Sequence, residues 1–290
     1  GHGRAIDLQI EGAQKAINGL QFLYNIRARQ EMSLNAKRTA AVIGGGNTAI
    51  DVARTLARLE IDPIIVYRRR RQDMPAFSPE LQMALDEGVK LKTLLTPITI
   101  KDVGSNSADH RASYVVTLQK MKVGATEIEG RARVVPDGDK TETLQVDHIF
   151  SAIGAEPEAP WYVVPDGKSP YLDLSHCKLM HDDIPIAYGG DLTNRVKSVA
   201  DAIASGKQAA MALDTYFKSG WDAVNKAVTG CQAGSGPTVS MAIYLGKERK
   251  DRSPHIVSYS EINTHYFKNA ARVNAPVLPL GDRIQSFLPV

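Results

Sequence analysis

Cysteine and metal-ligand patterns are scarce in this chain. Its 290 residues contain two cysteines, Cys177 and Cys231, and no C-x-x-C or C-x-x-x-x-C pair. A catalytic dithiol, or an iron–sulfur cluster built from this chain, is therefore not expected. The seven histidines form no H-x-x-x-H or H-E-x-x-H pattern, and no G-x-S-x-G sequence occurs, which argues against a zinc site and a serine hydrolase. The sequence predicts two ordinary thiols and no metal site.

Excess charge and long apolar runs are also lacking. The net charge is only +3, and no second basic stretch accompanies the run at residues 68–71, as a nucleic-acid-binding surface would require. No window approaches the apolar length of a membrane-spanning helix, and residues 1–4 show no secretory signal. We therefore expect a cytoplasmic protein without nucleic-acid or membrane partners. The length favours two compact units.

A glycine-rich turn is the most informative feature that is present. An apolar stretch at residues 40–43 leads into Gly44, Gly46 and Ala49, which match the pattern G-x-G-x-x-A. Residues 50–59 carry apolar side chains at helical spacing, and residues 64–66 read as a short buried strand. This β-α-β context predicts a dinucleotide fold in which backbone N–H groups and a helix N-terminus face a pyrophosphate. The predicted contacts are Gly44, Gly45, Gly46, Asn47 and Thr48.

Four consecutive arginines, Arg68 to Arg71, follow the second strand of that unit. A fold that binds NAD usually carries Asp or Glu at this position, where it holds the ribose 2′-hydroxyl. Arginines without an acid suit a 2′-phosphate, so the pattern predicts NADPH rather than NADH. Arg68 and Arg69 lie nearest the strand end and are the predicted phosphate ligands. Arg70 and Arg71 are expected to face solvent, and a merely solvated strand end is the alternative for all four.

The rest of the chain continues the α/β pattern. A helix is predicted at residues 79–87, antiparallel strands around residues 115–121, and a turn at residues 137–139. A buried strand at residues 147–154 and a long helix at residues 198–217 follow. The turn Gly189-Gly190-Asp191 before that helix is either a second nucleotide-facing loop or an ordinary strand–helix junction.

Together these motifs resemble the small (beta) subunit family of glutamate synthase, whose members are NADPH-dependent FAD oxidoreductases. The resemblance covers roughly residues 3–217. It rests on residues 42–51, Val66-Tyr67-Arg68-Arg69, Met74-Pro75-Ala76, Ala152-Ile153-Gly154 with Glu156-Pro157, and Gly190-Asp191 with residues 200–207.

The resemblance implies an α/β fold: a Rossmann-type NAD(P)-binding domain with a three-layer sheet, next to a partial FAD-binding domain. The family's first FAD-binding G-x-G-x-x-G and its cysteine-rich region are not in this sequence, so the chain resembles a C-terminal portion. The implied divisions are residues 1–36, a flavin-domain segment and connector; 37–150, the NADPH domain; 151–219, the C-terminal part of the FAD domain; and 220–290, an extension. The implied flavin contacts are Ile153, Gly154, Gly190 and Asp191.

The resemblance also implies a reaction. Hydride would pass from NADPH to FAD, and electrons would continue to an iron–sulfur centre or partner subunit; no catalytic acid–base residue is predicted. The implied partners are the missing N-terminal FAD and iron–sulfur region, and a large glutamate synthase subunit or a ferredoxin-type acceptor. Two alternatives stay open: the same electron-input module serving another acceptor, and a fragment that binds NADPH without turnover.

Overall fold

A computed structural model describes most of the chain. The described residues are 3–30, 34, 38–104, 113–128, 131–157, 174–192, 198–233, 238–247, 257, 259–268, 270–271, 273 and 276–285. The chain forms two compact units. One comprises Ala5–Glu156 with Asn274–Val290, and the other comprises Gly1–Arg4 with Pro157–Val273. The four-part domain division expected from the sequence stays a prediction.

The described residues of the two units form twelve strands and seven helices. The strands are β1 Gly3–Ala5, β2 Ile17–Asn18, β3 Thr39–Ile43, β4 Asp62–Tyr67, β5 Lys90–Thr93, β6 Leu95–Asp102, β7 Tyr114–Ile128, β8 Arg131–Val146, β9 His148–Ser151, β10 Ala155–Pro157, β11 Leu179–His181 and β12 Ile184–Ile186. The helices are α1 Gly19–Arg27, α2 Asn47–Arg58, α3 Ser78–Asp86, α4 Val199–Ser219, α5 Trp221–Thr229, α6 Met241–Tyr244 and α7 Leu280–Ile284. Within the described ranges, no helix combines the length and apolarity needed to cross a membrane.

A five-stranded parallel sheet forms the centre of the Ala5–Glu156 unit, in the order β2-β9-β3-β4-β5. Strand β3 is buried on both faces because its residues alternate between two cores. Ala40 and Val42 pack with α1, α2 and α3, whereas Ala41 and Ile43 pack against the antiparallel sheet β6-β7-β8. The helices, the parallel sheet and the antiparallel sheet thus form three layers, which confirms the predicted α/β class.

Strand β8 differs from the sequence expectation at residues 137–139. A turn was predicted there from Asp137-Gly138-Asp139, but β8 continues through it to Val146. Pairing with β7 shifts at this point, and Gly138 adopts φ +60°. The Gln119 side-chain amide donates to the carbonyl oxygens of Gly138 (2.9 Å) and Lys140 (3.0 Å). The turn residues therefore form a bulge inside one strand.

The Pro157–Val273 unit is built around α4 and α5. Helix α4 begins as predicted, with the Ser198 hydroxyl accepting from the Asp201 N–H (3.1 Å). Gly220, at φ +75°, separates the two helices. Their apolar faces enclose Cys177 and Cys231, which are both buried and form no disulfide. Buried thiols of this kind behave as small apolar side chains.

We expect His148, at the start of β9, to make the stability of the parallel sheet depend on pH. Its Nε2 is buried without a hydrogen-bond partner, and burial lowers the pKa of the imidazole. The folded-state pKa of His148 lies below its unfolded value of about 6.5. The contribution of His148 to stability is therefore fully present above about pH 6.5, and it is lost as the pH falls from there through the folded-state pKa. We expect His148→Gln to flatten this decline, measured as urea midpoints at about pH 7.5 and 5.5. The exposed His265→Gln is the control, and an unchanged decline in His148→Gln would contradict the assignment.

Candidate dinucleotide-binding site

The turn between β3 and α2 is shaped by glycines. Gly44 follows the last residue of β3 and adopts φ +146°, a conformation that L side chains rarely adopt. A Cβ at Gly44 would also overlap the carbonyl oxygen of Ala152, and a Cβ at Gly45 would overlap the ring of Tyr67. The Gly44 N–H donates to the Val66 oxygen (3.1 Å), which ties the turn to β4. Both positions therefore require glycine for packing within the protein.

Gly46 is glycine for a different reason. Its φ of −89° suits any residue, and a Cβ there would meet no protein atom nearer than the Pro75 Cγ at 3.9 Å. Gly46 caps α2 without a side-chain hydrogen bond, so the first N–H groups of the helix have no side-chain cap. The space above Gly46 and the positive end of the helix together suit a phosphate group.

A cavity of about 730 Å³ opens beside this turn. It lies at the carboxyl ends of β3, β4 and β9, where the sheet extends from β3 to β4 on one side and to β9 on the other. Open α/β sheets bind ligands at such a switch point. The lining residues include residues 6–10, Gly44, Gly45, Gly46, Thr48, Tyr67, Arg68, Arg69, Pro75, residues 95–97, Ile153 and Gly154.

Two of the four arginines line the cavity. Arg68 is exposed at it, and Arg69 is half-buried with its Nε buried and lacking a hydrogen-bond partner. Arg70 instead donates to both carboxylate oxygens of Asp73, at 2.7 and 2.9 Å, which lowers the pKa of that carboxyl. Arg71 is exposed and donates to the Gln82 side chain (3.0 Å). The cavity thus has two guanidinium groups available for an anion.

Of the other predicted site residues in this unit, three line the cavity and Asn47 does not. Thr48, Ile153 and Gly154 line the cavity together with the glycine turn. The Asn47 side chain instead accepts a hydrogen bond from the Phe77 N–H (2.9 Å). Sequence reasoning missed the lining segments 6–10 and 95–97. Residues 95–97 follow β5 closely, so the switch-point rule could have found them, whereas residues 6–10 carry no motif.

Gly190 and Asp191 belong to the Pro157–Val273 unit, where they begin a short 3-10 turn, Gly190–Leu192. Gly190 adopts φ +66°, and its N–H donates to the Ser205 hydroxyl on α4 (2.8 Å). Asp191 is exposed. The turn is therefore anchored to the helix that follows it, and its carboxylate faces outward.

Comparison with known proteins identifies relatives of this chain. A family model described as pyridine nucleotide-disulphide oxidoreductase matches residues 1–162. The NADP(+)-dependent formate dehydrogenase subunit beta of Moorella thermoacetica is 30% identical, over 72% of this chain and 29% of the relative. The glutamate synthase [NADPH] small chain of Escherichia coli is 26% identical, over 62% of this chain and 38% of the relative. The chain therefore spans well under half the length of these relatives.

Solved structures share the fold. Mycobacterium tuberculosis FprA, in a complex with NADPH, aligns with a TM-score of 0.52 at 17% identity, over 85% of this chain and 66% of that chain. Lactococcus lactis thioredoxin reductase aligns with a TM-score of 0.50 at 17% identity, over 78% of this chain and 64% of that chain. At this identity the likeness establishes the fold alone.

Proposed function

Because the chain belongs to the pyridine nucleotide-disulphide oxidoreductase family, we propose that it binds NADPH in the cavity of its Ala5–Glu156 unit. We further propose that it is the electron-input part of a larger flavin oxidoreductase. The proposal rests on one observation: Arg68 and Arg69 line the same cavity as the N-terminus of α2, which has no side-chain cap. The helix N-terminus suits a pyrophosphate, and the two arginines suit a 2′-phosphate.

The residues present fit this cofactor. The space at Gly46 would be filled by a Cβ, and Arg69 has a buried Nε without a hydrogen-bond partner. The cavity volume of about 730 Å³ falls in the range of small-molecule sites. We propose that Gly44 to Thr48 hold the pyrophosphate through the turn and the first helical N–H groups. Arg68 and Arg69 would then hold the 2′-phosphate.

The chain's own groups would bind and orient rather than transfer protons. Bound NADPH would supply a hydride, and a flavin held by the larger protein would accept it. We propose that Ile153 and Gly154, and separately Gly190 and Asp191, contribute contacts for that flavin. Orientation of the two cofactors is then the main contribution of the protein to the rate.

The identity of the electron acceptor is a further proposal. The relatives include a formate dehydrogenase subunit beta, a glutamate synthase small chain and an NADPH-Fe(3+) oxidoreductase subunit beta from Geobacter sulfurreducens. Their names describe them as subunits or chains of larger enzymes. We propose that this chain likewise works with the remaining flavin and iron–sulfur region and a partner such as a large glutamate synthase subunit. A ferredoxin-type acceptor is the alternative.

A binding role without turnover is the second candidate, since the groups that line the cavity suit nucleotide binding and include no predicted acid–base residue. The two candidates differ in what the purified chain does with NADPH. Oxidation of NADPH by the chain with added FAD would support the catalytic role. Binding without oxidation would support the second candidate.

Replacing either cavity arginine tests the NADPH site. We expect Arg68→Ala and Arg69→Ala each to weaken NADPH binding about tenfold, since each removes a charge-assisted hydrogen bond to phosphate. NADH binding should change little, because NADH lacks the 2′-phosphate. Isothermal titration with both nucleotides measures the effect.

The control for these variants is Arg71→Ala, which removes the neighbouring guanidinium held by Gln82. It should leave NADPH affinity within about twofold of the unmodified chain. Equal losses for NADPH and NADH in Arg68→Ala and Arg69→Ala would contradict the assigned 2′-phosphate site.

A further inference from the structure

The loop of residues 70–77, here called the bridging loop, connects the cavity arginines to α3. Its first half is fixed by Asp73, which is buried and accepts both hydrogen bonds from Arg70. The Tyr67 hydroxyl donates to the Asp73 backbone oxygen (2.8 Å). This part of the loop is therefore fixed to the end of β4, directly beside Arg68 and Arg69.

The second half of the bridging loop is bound to the glycine turn. The Ala76 N–H donates to the Gly45 oxygen (3.2 Å), and the Phe77 N–H donates to the Asn47 side-chain oxygen (2.9 Å). Between these anchors, Pro75 lines the cavity. A single loop thus connects the turn proposed to hold pyrophosphate with the arginines proposed to hold the 2′-phosphate.

The bridging loop donates one of these two hydrogen bonds to the Gly45 backbone oxygen and the other to the Asn47 side chain. Asn47 is the first residue of α2, and its side chain is not among the groups that line the cavity. We propose that Asn47 is a positioning residue that sets the spacing between the glycine turn and Arg68 and Arg69. Through that spacing it determines selectivity for NADPH over NADH. This inference rests on the proposed function.

The selectivity follows from the two points of attachment. NADPH is held at both its pyrophosphate and its 2′-phosphate, so its binding depends on the distance between the two sites. NADH is held at the pyrophosphate alone and is insensitive to that distance. Loss of the Asn47 anchor should therefore weaken NADPH binding specifically, whereas a direct contact of the Asn47 side chain with pyrophosphate would serve both nucleotides equally.

Asn47→Ala tests the proposal by isothermal titration with NADPH and NADH. We expect the ratio of NADPH to NADH affinity to fall about fivefold to tenfold, the loss that one neutral hydrogen bond can account for. The control is Gln82→Ala, which removes the exposed Arg71 contact on α3 and should leave the ratio unchanged. Equal weakening of both nucleotides, or an unchanged ratio, would overturn the role of Asn47.

Hydrogen exchange tests the anchor without any nucleotide. In Asn47→Ala the Phe77 amide should lose protection while amides in the middle of α2 keep theirs, and Asn47→Asp, which keeps an acceptor oxygen, should retain it. Unchanged Phe77 protection in Asn47→Ala would overturn the proposed anchor. If the unmodified chain does not prefer NADPH, the proposed function fails. If it does and Asn47→Ala keeps that preference, only the role of Asn47 fails.

Discussion

Gly46→Ala should lower the affinity for NADPH about a hundredfold while leaving the thermal midpoint of the chain unchanged. The fold accommodates the added methyl group because φ is −89° and the nearest protein atom, the Pro75 Cγ, is 3.9 Å away. The methyl group would instead occupy space that a pyrophosphate needs to approach the backbone. Isothermal titration and thermal unfolding of the same preparation measure both effects.

The matched control is Gly44→Ala, two residues earlier. Its Cβ would overlap the Ala152 oxygen, and its φ of +146° is strained for alanine. This variant should therefore lose thermal stability, which Gly46→Ala should retain. If Gly46→Ala binds NADPH as tightly as the unmodified chain, the glycine turn does not hold the nucleotide.

Glu87→Gln should lower the free energy of unfolding by about 3 kcal/mol or more. The Glu87 carboxylate is fully buried and receives hydrogen bonds from the Arg54 Nε (2.9 Å) and Nη2 (2.7 Å). Arg58 and Arg283 approach it at 3.5 Å, and both side chains are less than 10% exposed. An uncharged amide would leave three buried guanidinium groups without their shared counter-charge.

Urea unfolding measures this effect, with Asp62→Asn as the control. Asp62 pairs with Lys90 at 3.6 Å, and both side chains are largely exposed, so its loss should cost less than about 1 kcal/mol. Comparing the two variants separates the effect of burying a charge cluster from the effect of an ion pair at the surface. Similar losses in the two variants would show that the buried cluster contributes no more than a surface ion pair.

Local sequence patterns are enough to predict the β3-α2-β4 unit and the position of the arginines that follow it. The glycine spacing, the helical periodicity after it and the short apolar strand specify the β3-α2-β4 unit without help from distant residues. Arg68 and Arg69 could be selected because they immediately follow a strand whose end is set by the same pattern. Arg68 and Arg69 both line the cavity, and their binding of a phosphate stays a prediction.

Contacts between distant parts of the chain could not be predicted in this way. Asn47 in the glycine turn resembles a nucleotide contact in sequence, but its side chain accepts from Phe77. Even Arg70, which is expected to face solvent, pairs with Asp73 only three residues later, because the burial of Asp73 depends on packing against distant residues. Arg283 reaches Glu87 from the far end of the chain. Each partner depends on tertiary packing, for which a single sequence carries no periodic signal.

We propose that the cavity beside Gly46 distinguishes NADPH from NADH through Arg68 and Arg69. The most direct measurement is an isothermal titration of the unmodified chain with each nucleotide at the same low ionic strength. We expect NADPH to bind about a hundredfold more tightly than NADH, because two guanidinium groups would meet the additional phosphate. Equal affinities for the two nucleotides would contradict it.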